Sequence, residues 1–182
     1  MMKKYPKFFS VMVLSIFSLL ASLVLLPSHS YAATINGQVT VNQVNILDTD
    51  GIYFMQSTAN YMNLQTKDYT VLDNAIALKE GTLKPENLPK IRVWFDKTNN
   101  KIWTLDHRRL ISFKLAGIKN ISVLWATEDE IKQGSVKMTT LNGGNTINLL
   151  FSNSKSFEVE RMKDYSVWSL DYLKDIKKMY QN

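Results

Sequence analysis

Cysteine is absent from this chain. That excludes a disulfide framework, a thiol nucleophile and any thiolate metal site. Histidine is nearly as scarce, with two in the whole sequence, His29 and His107, and no paired-histidine metal motif occurs. There is no glycine-rich P-loop and no G-x-S-x-G turn, so ordinary kinase, zincin and hydrolase chemistries have no support. Seven glycines and four prolines make no low-complexity linker, and no internal repeat divides the chain. One long apolar run stands at the N-terminus. No second run approaches it, so the rest of the chain is expected to be soluble without stable membrane insertion.

That first run reads as an export signal. Lys3, Lys4 and Lys7 form a basic start, and Phe8 to Leu26 is apolar apart from four serines. Pro27 breaks the segment, and Ser30-Tyr31-Ala32 presents the small residues a signal peptidase recognises. Cleavage after Ala32 leaves 33–182, secreted or periplasmic. An uncleaved anchor is the alternative, because the run is nearly membrane-spanning in length. The signal holds three of the 22 basic residues and none of the 16 acidic ones, so the net charge of +6 falls to +3. Such a balance is too weak to argue nucleic-acid binding by itself. The remaining length suits one ordinary domain.

Along that domain, Ile35, Val39, Val41, Val44 and Ile46 suggest one or two strands or an extended arm over 33–51. Ile52 to Met55 reads as a short strand ending at Gln56-Ser57, and Asn60 to Asp68 as loop. Thr70 with Asp73 has the spacing of a capping box, and Gly81 is a natural helix stop. Lys90–Phe95 and Lys101–Leu105 read as a hairpin with Trp94 opposite Trp103. A helix is expected from Arg108 to Ala116, closed by Gly117, then a strand over Ile121–Trp125. Thr127 and Glu130 form a second capping box. Val136–Met138 and Thr146–Leu150 flank Asn142-Gly143-Gly144-Asn145, which predicts another hairpin. Val167, Leu170, Leu173, Ile176 and Tyr180 then follow helical spacing, with the tail over 151–182 expected to pack on the domain.

The chemistry concentrates where a strand runs into a helix, at Thr104-Leu105-Asp106-His107-Arg108-Arg109-Leu110. The first turn of a helix carries free N–H groups and the positive dipole end, and arginines there make an anion site suited to phosphate. Arg108 and Arg109 cannot both face it, since adjacent helical residues diverge by about 100°. One is expected to meet the ligand and one to brace the fold, with Arg92 or Gln56 completing the pocket. Asp106 has three open roles: helix N-cap, metal ligand or base. His107 is either structural, ligand-contacting or catalytic, and the adjacent Asp–His pair is not a triad.

Leu88-Pro89-Lys90-Ile91-Arg92-Val93 and Ile102 to Leu110, in this order, resemble the ParB/sulfiredoxin-like superfamily. A more detailed similarity is to ParB-like domains at the C-termini of bacterial polymorphic toxins. It rests on Phe54-Met55-Gln56-Ser57, Gly81, Pro89-Lys90-Ile91-Arg92-Val93, Phe113, Ala116-Gly117, Ala126-Thr127-Glu128-Asp129-Glu130 and Thr140-Leu141-Asn142-Gly143-Gly144-Asn145-Thr146-Ile147. It covers roughly 52–150, with the arm and the tail outside it. The branch usually has Asn where this chain has His107, so the resemblance does not support a catalytic imidazole.

The resemblance implies an α+β fold, a small mixed sheet with short helices, here followed by a C-terminal amphipathic helix. It also implies nucleotide or nucleic-acid binding at the strand-to-helix junction. The leading expectation is an exported toxin or effector that cleaves phosphodiesters as a nuclease, using Mg²⁺ or another divalent metal and countered by an immunity protein. Asp106, His107 and Arg108 are then the catalytic candidates, and Arg109, Arg92, Gln56 and Ser57 the phosphate-binding ones. The alternatives are a nucleotide-binding or nucleotide-hydrolysing enzyme of the same fold, and a non-enzymatic exported binding module.

Overall fold

The computed structural model describes residues 34–35, 38–39, 45–63 and 67–181. The signal, its cleavage site and the hydrophobic positions Val41 and Val44 lie outside them. The chain divides into two units, 1–42 and 43–182. In the first, β1 (Thr34–Ile35) and β2 (Gln38–Val39) pair antiparallel. Among the described residues no helix is long and apolar enough to cross a membrane.

The second unit is α+β, with two mixed sheets and, among the described residues, four α-helices. Its strands are β3 (Ile46–Asp48), β4 (Ile52–Phe54), β5 (Thr58–Asn60), β6 (Ile91–Asp96), β7 (Lys101–Thr104), β8 (Asn120–Trp125), β9 (Thr146–Leu150) and β10 (Ser156–Glu160). One sheet has the order β3-β8-β6-β7-β4 and the other β10-β9-β5. β6 pairs antiparallel with β7 but parallel with β8, and β4 runs parallel to β7. Ile46–Asp48, within the stretch read as an arm, is thus the edge strand of the larger sheet.

The helices are α1 (Val71–Glu80), α2 (His107–Ala116), α3 (Glu128–Ser135) and α4 (Leu170–Gln181). Thr70 and Asp73 close a full capping box on α1, as Thr127 and Glu130 do on α3. Each satisfies two otherwise orphaned N–H groups. Gly117 ends α2 at φ 79°, and a Cβ there would lie 2.6 Å from the Ser166 backbone. Both the left-handed turn and the close approach therefore require glycine. α1 packs on α2, α4 packs on α1, and Ile52, Phe54, Leu72, Ile91, Leu110, Leu115, Val123, Ile147, Leu149 and Leu173 are fully buried between helices and sheets. Truncating any one of these leucines to alanine is expected to cost about 2–5 kcal/mol.

The β6–β7 hairpin forms with Trp94 directly opposite Trp103. The second expected hairpin does not form. Val136–Met138 is not a strand, and β9 pairs instead with β10 and, in parallel, with β5. The Asn-Gly-Gly-Asn loop instead supports β4. Gly143 and Gly144 have φ of 67° and 84°, and Phe54 N–H donates to the Gly144 carbonyl at 3.1 Å. A Cβ on Gly144 would stand 2.5 Å from the Trp103 ring, so the glycine serves close packing rather than strand reversal. β5 has no hydrophobic run of its own and no sequence pattern announces it. The last helix starts at Leu170, later than its apolar spacing suggested, leaving Val167 76% exposed.

Candidate functional site

β7 leads into α2 through a sharply bent segment. Leu105 N–H donates to the Arg92 carbonyl at 2.9 Å, and Asp106 N–H to Thr104 Oγ1 at 3.0 Å. These bonds hold Asp106 at φ −119°, ψ 64°, and its side chain does not cap the helix. The carboxylate turns away toward β6. Oδ2 accepts from the backbone N–H and Nε of Arg92, at 2.8 and 2.9 Å, while Oδ1 accepts from Arg92 Nη2 at 2.8 Å. Arg109 Nη2 reaches the same Oδ1 at 2.6 Å. Burial alone would raise the Asp106 pKa, but the Arg92 hydrogen bonds and then the charges of Arg109 and Arg92 hold it below the ordinary carboxylate value. Asp106 is therefore an ionised tether for two arginines rather than a base. The N-cap role is likewise not what this residue performs.

Both arginines are committed elsewhere as well. Arg92 Nη1 meets Glu130 Oε1 at 3.2 Å, and Arg109 Nη1 donates to the carbonyls of Pro89 and Lys90 at 2.5 and 2.8 Å. The Asp106 hydrogen bond, before any other influence, raises the Arg92 pKa. Arg92 and Arg109 thus fasten α2 and α3 to the start of β6. Arg108 diverges as helical geometry demands: it is exposed, and its Nη1 touches the Met62 carbonyl at 3.2 Å.

His107 points inward and is only 8% exposed. Its Nε2 accepts two backbone hydrogen bonds, from Met55 N–H at 3.1 Å and Gln56 N–H at 3.2 Å. A nitrogen accepting two N–H groups is unprotonated, so the ring proton resides on Nδ1. Burial first, then the cations Arg108 and Lys137, push the imidazole pKa down to about 4, against the pull of Asp106. This ring braces the backbone, and its Nε2 lone pair is taken up by the two N–H groups. Ser57 is also drawn off, its N–H and Oγ donating to Thr139 Oγ1 at 3.2 and 3.4 Å.

What remains is a polar groove of about 480 Å³, lined by Gln56, Thr58, Asn60, Asp106, Arg108 and Lys137 among others. A smaller cavity of about 160 Å³ lies beside it, bounded by Arg92, Glu130, Gln133 and Lys137. The groove opens on the first turn of α2, where the Asp106 side chain does not take the free N–H groups. Lys137 was unforeseen. It sits just beyond α3 in a segment the sequence marked as strand, and no local pattern announces its reach into the groove. The implied divalent metal does not fit this arrangement. Both Asp106 oxygens are bonded to guanidinium groups, and no cluster of three His, Cys, Asp or Glu among the described residues is able to hold an ion.

At its other end α2 carries a second ionic cluster. Lys114 is 3% exposed, and its Nζ meets Asp50 Oδ1 at 2.6 Å. Lys119 Nζ meets Asp50 Oδ2 at 2.7 Å, and Asp164 stands 3.7 Å from the same Nζ. Arg161 donates to the Asp50 carbonyl and stacks 4.0 Å over the Tyr53 ring. Both lysines of this cluster pair with a carboxylate, and Arg161 is held by a backbone carbonyl and a ring.

The chain matches no protein-family model, no curated protein and no solved structure. Its function is therefore read from the groove.

Proposed function

We propose that this chain is an exported, ParB/sulfiredoxin-like module that binds the phosphate groups of a nucleic acid or nucleotide in the groove at the start of α2. The charge imbalance of the junction carries the reading. Two carboxylates, Asp106 and Glu130, face four cations, and the tethering of Arg92 and Arg109 by Asp106 leaves Arg108 and Lys137 in surplus beside an uncapped helix N-terminus. Free N–H groups, the dipole and a guanidinium on one wall are the ordinary means of holding a phosphate.

Binding without cleavage is the activity this geometry favours. Hydrolysis of a phosphodiester needs an oriented base or a metal-held water, and the two nearest candidates, Asp106 and His107, are fully bonded. A toxin or effector role, with an immunity partner, belongs to the same proposal through the resemblance alone.

Fluorescence anisotropy with labelled oligonucleotides and calorimetry with nucleoside triphosphates, at low salt, test the reading. Saturable binding that weakens with salt and falls at least tenfold in Arg108→Ala supports it. Absence of binding to every phosphate ligand by folded protein overturns it. Metal-dependent degradation of DNA or RNA, lost in Asp106→Ala of intact fold, would instead restore the nuclease.

A further inference from the structure

We infer that His107 is a proton-released latch on the groove: protonation at Nε2 frees the Met55–Gln56 backbone and loosens the wall that Gln56 and Thr58 form. The latch stands on the tertiary structure, and only its consequence for ligand rests on the binding reading above.

The residues from Ile52 to Asn60 leave one sheet and enter another. β4 pairs with β7 in the larger sheet, and β5 pairs with β9 in the smaller. Met55, Gln56 and Ser57 lie between the two strands. Their backbone needs other partners, since buried N–H groups left unpaired cost about 1–3 kcal/mol each. Met55 C=O accepts from Thr139 and Thr140 N–H, both at 3.0 Å, and Ser57 N–H goes to Thr139 Oγ1. The N–H groups of Met55 and Gln56 converge on His107 Nε2. One imidazole nitrogen thus closes the gap between two sheets, directly behind the groove.

An imidazolium has no acceptor to offer. Protonation at Nε2 would set three N–H groups against one another in a buried space. Among the charged neighbours, Asp106 favours the cationic ring, but Arg92 and Arg109 hold its carboxylate; Arg108 and Lys137 oppose the cation. Glu130, across the smaller cavity, is bonded to Arg92 and Thr127. Among the described residues no carboxylate accepts from Nε2, so the proton enters only as the Met55–Gln56 segment lets go. A glutamine at this position offers a carbonyl acceptor that does not titrate across this range.

Amide hydrogen exchange resolved by NMR, on the protein and on His107→Gln, tests the latch without any ligand. With the imidazole near 4 when latched and near 6.5 when released, protection at Met55 and Gln56, corrected for intrinsic exchange, should fall about twenty-fold between pH 7 and pH 5. At pH 5 these two amides should stay less protected than the core amides of β8, which open only on global unfolding. In His107→Gln the two amides should keep the same protection across that range. Equal protection at both pH values in the native chain, or the same fall in the variant, overturns the latch. Should the variant fail to fold, imidazole ¹⁵N shifts decide: an Nδ1–H tautomer titrating well below 6.5 supports the proposal, and an ordinary titration defeats it. A further arm measures pyrophosphate affinity at pH 7 and pH 5 relative to the variant. Loss confined to the native chain at pH 5 extends the latch to ligand release, and equal loss in both confines it to the backbone. If pyrophosphate and every other phosphate probe fail to bind at pH 7, the binding reading falls while the exchange result stands on its own.

Discussion

The two ends of α2 answer the same electrostatic problem in different ways. At the C-terminal end Asp50 takes Lys114 and Lys119, Asp164 lies near Lys119, and Arg161 covers the Asp50 backbone. Each cation there has a protein partner, and no space remains for a ligand. At the N-terminal end Asp106 takes Arg92 and Arg109 in nearly the same manner, yet Arg108, Lys137 and the first-turn N–H groups stay on a groove of about 480 Å³. One cluster is closed around its carboxylates, the other open beside two cations that no carboxylate among the described residues holds. Partnered charge builds the fold at both ends, and surplus charge beside open volume separates the candidate site from its structural counterpart.

The comparison breaks most visibly at the closed end. Asp50→Ala strands an ammonium that is 3% exposed, and its expected cost is about 3–5 kcal/mol, measured as a loss of Tm with phosphate binding by the remaining folded protein unchanged. The pH response of His107 comes next. Its folded pKa is depressed, so the neutral ring's contribution is complete above about 6.5 and is lost as pH falls toward 4. That amounts to about 3 kcal/mol of unfolding free energy, seen as acid sensitivity in urea titrations that His107→Gln lacks.

Asp106→Asn should cost less, about 2 kcal/mol, because Arg92 and Arg109 remain 40% and 24% exposed and water takes over part of the pairing. Arg108→Ala sharpens the contrast. It should leave stability within about 0.5 kcal/mol while weakening phosphate binding at least tenfold by anisotropy. Lys137→Ala should have the smallest effect, about threefold in affinity with a shallower salt dependence. Equal binding losses from Lys119→Ala and Arg108→Ala would erase the distinction between the two ends.

Much of the fold is legible in the residue order. Thr70 with Asp73, Thr127 with Glu130, Gly81 and Gly117 each set a helix boundary through contacts spanning four residues or fewer. The β6–β7 hairpin follows from two apolar runs about one polar turn. β10 also carried a signal: Phe157 and Val159 alternate with Ser156, Glu158 and Glu160. The failure at Asn142-Gly143-Gly144-Asn145 is instructive. Positive-φ glycines suit a hairpin turn, but here they admit the Trp103 ring and the Phe54 backbone, and local sequence does not separate the two uses.

The sequence by itself determined the capped starts of α1 and α3, the glycine ends of α1 and α2, the gathering of basic groups at the start of α2, and the divergence of Arg108 from Arg109. These depend on near neighbours and on helical geometry. Only the tertiary structure decided which groups are spent. Arg92 claims Asp106 across fourteen residues and Glu130 across thirty-eight, and the donors to His107 lie fifty-two and fifty-one positions away. A side chain's chemistry is set by whatever occupies its lone pairs and N–H groups. For this site those occupants arrive from strands and helices that meet only when the sheets assemble.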